Sequence, residues 1–192
     1  MKTGHVKTGH VKTGHVKTVD TGAQGADGRA VTFEQMRRRH LPSVLRIEHR
    51  AHPKPWSLGV LTSELSQGGS RYYVVVRAEG KVAGYGGLMF VADEGHVTNI
   101  AIAPALRRQR LGTLLLAHLA HEAASRGCAA MTLEVRMGNV AAQALYKNFG
   151  FVAAGVRRNY YPETGEDALI MWLYGLRSPD VQARLDELER GR

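Results

Sequence analysis

The stretch from Val97 to Thr113 limits the folds open to this chain more than any other. Val97-Thr-Asn-Ile-Ala-Ile102 is rich in β-branched residues and reads as part of a strand over 96–102. Pro104 interrupts it, and the basic run Arg107-Arg-Gln-Arg110 follows. A long amphipathic helix is then predicted over Arg108–Arg126, with Leu111, Leu114, Leu115, His118 and Leu119 on one face. A strand feeding such a helix calls for helices layered on a sheet. The junction also has a chemical character. A helix N-terminus offers unpaired N–H groups and a partial positive charge. Arg107, Arg108 and Arg110 add full charges, and Gly112 lets a backbone approach closely. Together these suit a pyrophosphate; a basic strand–helix connection without a ligand is the alternative.

The remaining elements fill in the layer. Ala30–Met36 reads as a strand, and Pro42 sits where the first turn of a helix tolerates it. Val44, Leu45, Ile47 and Glu48 carry that helix to about His49, before Pro53 and Pro55 stop it. Trp56-Ser57 opens a second short helix with Ser57 as N-cap. Tyr72–Arg77 and Lys81–Val91 are strands joined at Glu79-Gly80. Met131–Arg136 is a strand and Val140–Asn148 a helix; Phe151–Asn159 and Ala168–Tyr174 close the sheet. The order is that of a mixed α/β (α+β) layer, without the regular alternation of a doubly wound fold.

Residues 2–17 repeat Lys-Thr-Gly-His-Val with period five, which matches neither helix nor strand. Residues 1–27 are therefore expected to be a disordered repeat tail, in which His5, His10 and His15 offer weak metal binding at most. A domain over 28–175 follows, then a helical extension over 176–192. In that extension Val181, Leu185 and Leu188 recur at helical spacing, over a length too short to fold alone.

The net charge is +9, and only +2 of it falls in residues 1–27 (four lysines against Asp20 and Asp27). The arginines and acids from Leu176 onward cancel, so the domain itself is basic. A basic domain suits a polyanionic partner: nucleic acid, a ribosome or a phosphate-rich cofactor. No nucleic-acid motif with interleaved aromatics is present, so direct nucleic-acid binding is not expected. No Cys/His cluster of the domain suggests a metal, and no phosphate loop of the Gly-x-x-x-x-Gly-Lys type occurs. The single cysteine, Cys128, cannot form an internal disulfide, which fits a cytoplasmic protein. Neither a membrane span nor a secretory signal is expected. The sequence leaves the oligomeric state open, with a monomer sufficient.

Arg107-Arg-Gln-Arg-Leu-Gly112 resembles the Arg/Gln-x-x-Gly-x-Gly/Ala signature of the GNAT superfamily of N-acetyltransferases, with Arg110 where the signature has glycine. A backbone amide can bind phosphate from arginine, since the side chain is not used; a need for positive φ there is left open. Further segments are similar to the RimI-type branch, bacterial enzymes that acetylate the N-terminal alanine of a small-subunit ribosomal protein. These are Ile47-Glu48, Pro55-Trp-Ser57, Leu133-Glu-Val-Arg136, Asn139, Ala144-Leu-Tyr146, Gly150-Phe151, Arg157-Arg-Asn-Tyr-Tyr-Pro162, Asp167-Ala168 and Ile170-Met171. The resemblance spans about residues 29–174.

It implies the GNAT fold, a mixed and mostly antiparallel sheet of about seven strands with helices on both faces. It implies acetyl-CoA, with the pantetheine arm along the backbone of Ile100, Ala101 and Ile102. The pyrophosphate would lie on Arg107, Arg108, Gln109, Arg110, Leu111, Gly112 and Thr113, and Asn139 would meet the cofactor arm. Alternation along its strand makes Glu134 an ordinary outward residue; the resemblance makes it the proton acceptor, through a water. Tyr146, otherwise a packing residue, becomes the proton donor to the departing thiolate. The oxyanion is expected on the N–H of Ile102. Trp56, Arg157, Tyr160 and Tyr161 would shape the channel for a protein N-terminus, most simply that of a ribosomal protein. Broader N-terminal or lysine acceptors are the second reading, and a non-enzymatic ribosome- or RNA-binding module the third.

Overall fold

The computed structural model describes residues 18–25 and 30–191. In chain order its elements are β1 (Thr18–Gln24), β2 (Ala30–Gln35), α1 (Leu41–Ala51), α2 (Leu58–Ser66), β3 (Arg71–Ala78), β4 (Lys81–Val91), β5 (Glu94–Ile102), α3 (Leu111–Ser125), β6 (Ala130–Arg136), α4 (Val140–Phe149), β7 (Val152–Tyr161), β8 (Glu166–Leu173) and α5 (Pro179–Arg190). The strands form one sheet in the order β1-β2-β3-β4-β5-β6-β8-β7, with only β5 and β6 parallel.

Local chemistry sets most of these boundaries. Glu79 and Gly80 both take positive φ (50° and 71°), as a two-residue hairpin turn between β3 and β4 demands. Ser57 caps α2 by accepting from the Val60 N–H at 3.3 Å. Asn139 caps α4 in the same way, its Oδ1 accepting from the Ala142 N–H at 3.2 Å. Gly150, at φ 94°, ends α4.

Strand alternation divides the apolar residues between two layers. Tyr73 and Val75 of β3 pack with Tyr85 and Ala101 under Val44, Ile47 and Leu61 of α1 and α2. Val74 and Val76 face the other way, toward a larger core with the leucines of α3, Phe149 of α4 and Leu185 of α5. Helices thus cover both faces. Among the described residues, no helix is long and apolar enough to cross a membrane.

Three expectations shift. The sheet has eight strands rather than about seven, because Thr18–Gln24, placed within the expected disordered tail, pairs antiparallel with β2. Backbone ladder bonds along the edge of β2 need no apolar alternation in the added segment. The five-residue repeats at 2–17 lie outside the described residues. The helix expected from Arg108 begins at Leu111, since Arg108 and Arg110 take positive φ (64° and 62°), which a right-handed helix excludes. Burial on α3 is also wider than its expected face. Leu116, Ala117 and Ala120 are fully covered, because α5 packs on this helix as well as the sheet.

The parallel pair is short. Only Glu94–His96 of β5 register with Ala130–Thr132 of β6. Beyond that the strands part, and the site lies in the opening.

Candidate active site

From Val97 onward β5 bonds to β4 alone, and its other edge faces the gap. In antiparallel pairing, opposed residues alternate between exchanging both hydrogen bonds and pointing them away. The Ala103 N–H donates to the Ala83 carbonyl at 2.8 Å, so that pair is bonded. Ile102 opposite Gly84, and Ile100 opposite Gly86, are then the non-bonded pairs. Their N–H and C=O groups point away from β4, into the gap. The Nε of Arg107 reaches the Ile102 carbonyl from that side at 3.4 Å.

Two adjoining chambers occupy the gap. The smaller, about 380 Å³, is walled by Ile100, Ala101, Ile102, Arg107, Arg108, Gly112 and the α4 residues Ala142, Leu145 and Tyr146. A Cβ added at Gly112 would meet Leu145 and Ile102 only at 3.7 and 3.9 Å, so packing within the protein does not require glycine there. The larger chamber, about 620 Å³, is lined by Trp56, Val97, Glu134, Tyr160 and Tyr161 among others. His52, Ile100, Arg136, Asn139 and Tyr146 line both and mark where they meet.

The expected site residues divide accordingly. Ile100, Ala101, Ile102, Arg107, Arg108, Gly112, Asn139 and Tyr146 line the smaller chamber. Gln109, Arg110, Leu111 and Thr113 are absent from its wall. The Leu111 side chain is in the core, 2% exposed. Arg110 turns away from the gap toward α5 and donates through Nη2 to the Leu188 and Glu189 carbonyls. Of this pair only main-chain groups remain for a ligand in the loop. Arg110 keeps a positive φ although it is not glycine.

Tyr146 is buried beside Phe151, ring centroids 5.8 Å apart. Burial raises its phenol pKa well above the ordinary tyrosine value, with a smaller push from Tyr161. It is therefore protonated at neutral pH. Asn139 spends its Oδ1 on the α4 cap.

Glu134 faces the larger chamber, and Nη2 of Arg157 lies 3.3 Å from its Oε1. Arg157 is not itself a lining residue. About half-exposed, it holds its guanidinium 5.5 Å from the Tyr160 ring centroid. Arg136 lies 3.7 Å over the Tyr161 ring and donates to Glu166 Oε2 at 3.1 Å and Thr164 Oγ1 at 2.8 Å. This fixes the β7–β8 connection, which carries Pro162 and Glu163 into the chamber.

Sequence reasoning gave no role to Glu48 or His52. Glu48 is 1% exposed. Its carboxylate accepts from the Trp56 N–H at 2.9 Å, from Tyr85 Oη and, more weakly, from Asn99 Nδ2 at 3.4 Å. One side chain thereby ties the end of α1 to the Trp56 segment and to β4 and β5. His52 Nε2 is buried, 3.6 Å from Glu48 Oε2, with no hydrogen-bond partner among the described residues. Burial lowers its pKa, against the pull of Glu48. The available signal was an acid on the apolar face of α1, between Val44, Ile47 and Ala51.

A splayed parallel pair, a basic loop at a helix N-terminus and two chambers meeting at a buried tyrosine make up the candidate site. The chain belongs to the GNAT acetyltransferase family, whose family model matches residues 41–151. It is 43% identical over 144 residues to the ribosomal protein bS18-alanine N-acetyltransferase of Escherichia coli, covering 74% of this chain and 96% of that protein. The crystal structure of the ribosomal-protein alanine N-acetyltransferase from Escherichia coli superposes with a TM-score of 0.70 at 42% identity, over 76% of this chain and 94% of the other. A GNAT acetyltransferase from Elizabethkingia anophelis with acetyl-CoA bound shares the fold at 16% identity. Its TM-score is 0.64, over 75% of this chain and 97% of its own.

Proposed function

We propose that this protein transfers the acetyl group of acetyl-CoA to the α-amino group of a protein, the N-terminal alanine of a small-subunit ribosomal protein in the cytoplasm. The observation that carries this reading is the meeting of the two chambers at Tyr146, beside the free backbone edge of Ile100 and Ile102. The names of the relatives, at 42–43% identity, support the acceptor.

In this reading the smaller chamber takes the pantetheine arm, its amides pairing with main-chain groups of Ile100 and with the Ile102 carbonyl, which leaves the Ile102 N–H free. Arg107, Arg108 and the N-terminus of α3 hold the pyrophosphate. The acceptor N-terminus enters the larger chamber past Trp56, Tyr160 and Tyr161. Its neutral nitrogen attacks the thioester carbonyl, and the N–H of Ile102 stabilises the oxyanion. Glu134 receives the amine proton through a water. The C–S bond breaks, and Tyr146 supplies a proton to the departing thiolate. The net change is amine plus thioester to amide plus thiol. An α-amine, with a pKa near 8 against about 10.4 for lysine, gives up its proton far more readily at neutral pH.

Peptides beginning with alanine, serine or methionine, and an N-blocked lysine peptide, are incubated with acetyl-CoA and read by mass spectrometry. Fastest acetylation of the alanine peptide at its N-terminus is expected. Faster turnover of the blocked lysine peptide would overturn the acceptor assignment.

A further inference from the structure

The loop that starts α3 is not held by its own residues alone. Arg110 sits in the left-handed region, at φ 62°, where a non-glycine residue is strained. Its Nη2 donates to the Leu188 and Glu189 carbonyls at 2.8 and 3.0 Å. These are last-turn carbonyls of α5, unsatisfied within their own helix and at its negative end. Gly191 makes room for the guanidinium: a Cβ there would lie 2.2 Å from Arg110 Nη1.

Three further ties run along the same helix. His121 of α3 places Nε2 3.6 Å from Glu189 Oε2 and 3.7 Å from Asp186 Oδ1. Leu185 is fully buried in the core that holds the α3 leucines. Arg184 reaches the end of α4, where a Cβ on Gly150 would stand 2.7 Å from its Nη1. So α5 touches both helices that flank the smaller chamber, α3 behind the basic loop and α4 beneath Asn139 and Tyr146. It lies beyond residues 41–151, the segment matched by the family model.

We propose that α5 braces the basic loop in its ligand-ready shape, with Arg110 as the positioning residue, so that docking of α5 and binding of acetyl-CoA are thermodynamically linked. This rests on the reading that the loop receives the pyrophosphate of acetyl-CoA. The backbone at Arg108–Arg110 holds two left-handed residues, at φ 64° and 62°. Glycine would reach that shape unaided but would also leave it freely. Arginine is kept there by a contact outside the loop. Linkage is reciprocal, so a ligand that needs the ordered loop must also stabilise α5.

The test uses the full chain. Hydrogen–deuterium exchange of the α5 amides is followed with and without CoA, and CoA affinity and kinetics are measured for wild type, Arg110→Gly and Arg110→Lys. CoA is expected to slow exchange over Val181–Arg190 in the wild type. Arg110→Gly is expected to raise the Kd for CoA and the KM for acetyl-CoA about fivefold or more. The KM for the acceptor peptide stays within about twofold, and the CoA-dependent protection of α5 is lost. Arg110→Lys, able to reach one carbonyl, falls between. Wild-type α5 exchange that ignores bound CoA overturns the inference without any variant. So does a glycine variant with wild-type CoA affinity. A wild-type chain that binds no CoA at all instead removes the cofactor reading beneath it.

Discussion

Replacing Tyr146 by phenylalanine separates chemistry from packing at this site. The side chain is 5% exposed and its ring packs on Phe151. Among the described residues its hydroxyl makes no hydrogen bond, so phenylalanine keeps the contacts and strands no partner. The stability change is expected within about 0.5 kcal/mol. For a chain of 192 residues that is a Tm shift of roughly 2 °C or less. The rate should behave differently. General acids contribute about 10²- to 10⁴-fold. A thiolate, with a parent pKa near 8.5, leaves more easily than an alkoxide or amine and needs less help. A fall in kcat of about 10- to 1000-fold is expected, or roughly 1.4–4 kcal/mol of barrier. The assay is continuous release of CoA thiol at saturating acetyl-CoA and alanine-started peptide, with thermal unfolding on the same preparation. Because burial raises the Tyr146 pKa, wild-type kcat should show no loss from tyrosine ionisation below about pH 10. A variant with wild-type kcat and wild-type Tm would falsify the donor role.

Glu134→Gln should lower kcat by about 10- to 1000-fold. Its stability should hold within about 1 kcal/mol, because the Arg157 partner is 54% exposed and such pairs contribute little. Glu48→Ala strips the acceptor from Tyr85 and the Trp56 N–H, and about 3 kcal/mol or more of stability should go with it. Calorimetry showing less than about 1 kcal/mol would contradict the network. Leu185→Ala, at a site with no exposure, should cost about 2–5 kcal/mol in denaturant unfolding. The Glu189 carboxylate, 3.6 Å from Nε2, raises the His121 pKa. Its contribution to stability is therefore complete below the unfolded value near 6.5 and is lost as pH rises through the folded value. The Tm gap between wild type and His121→Gln should be widest near pH 5.5 and close toward about pH 9; a gap that widens with pH contradicts the pairing.

Features written in neighbouring residues were legible in the sequence. The Glu79-Gly80 turn, the Ser57 cap and the strand–loop–helix from Val97 need only local pattern. Alternation placed Glu134 and Arg136 on one face of β6 and Met131, Leu133 and Val135 on the other, as the burial shows. What escaped depends on distant partners. Arg110 read as a ligand-facing cation because nothing nearby in sequence announces carbonyls at 188 and 189. Glu48 passed as one more helix residue, since its burial comes from Tyr85 on β4, Asn99 on β5 and the turn at Trp56. Arg157 belonged to a recognisable motif, yet its approach to Glu134 depends on β7 pairing along β8, which no local pattern announces. Thr18–Gln24 carries no apolar alternation, and its strand is set by the edge of β2.

The parting of β5 from β6 after His96 has one more consequence. A wall that presents main-chain N–H and C=O groups keeps them through ordinary mutation. Exchanging Ile100 or Ile102 for valine or leucine reshapes the wall but deletes no donor. Proline alone among the twenty residues lacks the amide hydrogen. Drift in the codons of this strand can therefore reshape this wall of the smaller chamber while leaving its main-chain donors and acceptors intact. Side-chain chemistry is concentrated instead in the larger chamber, where a single exchange removes a charged or aromatic group from the wall.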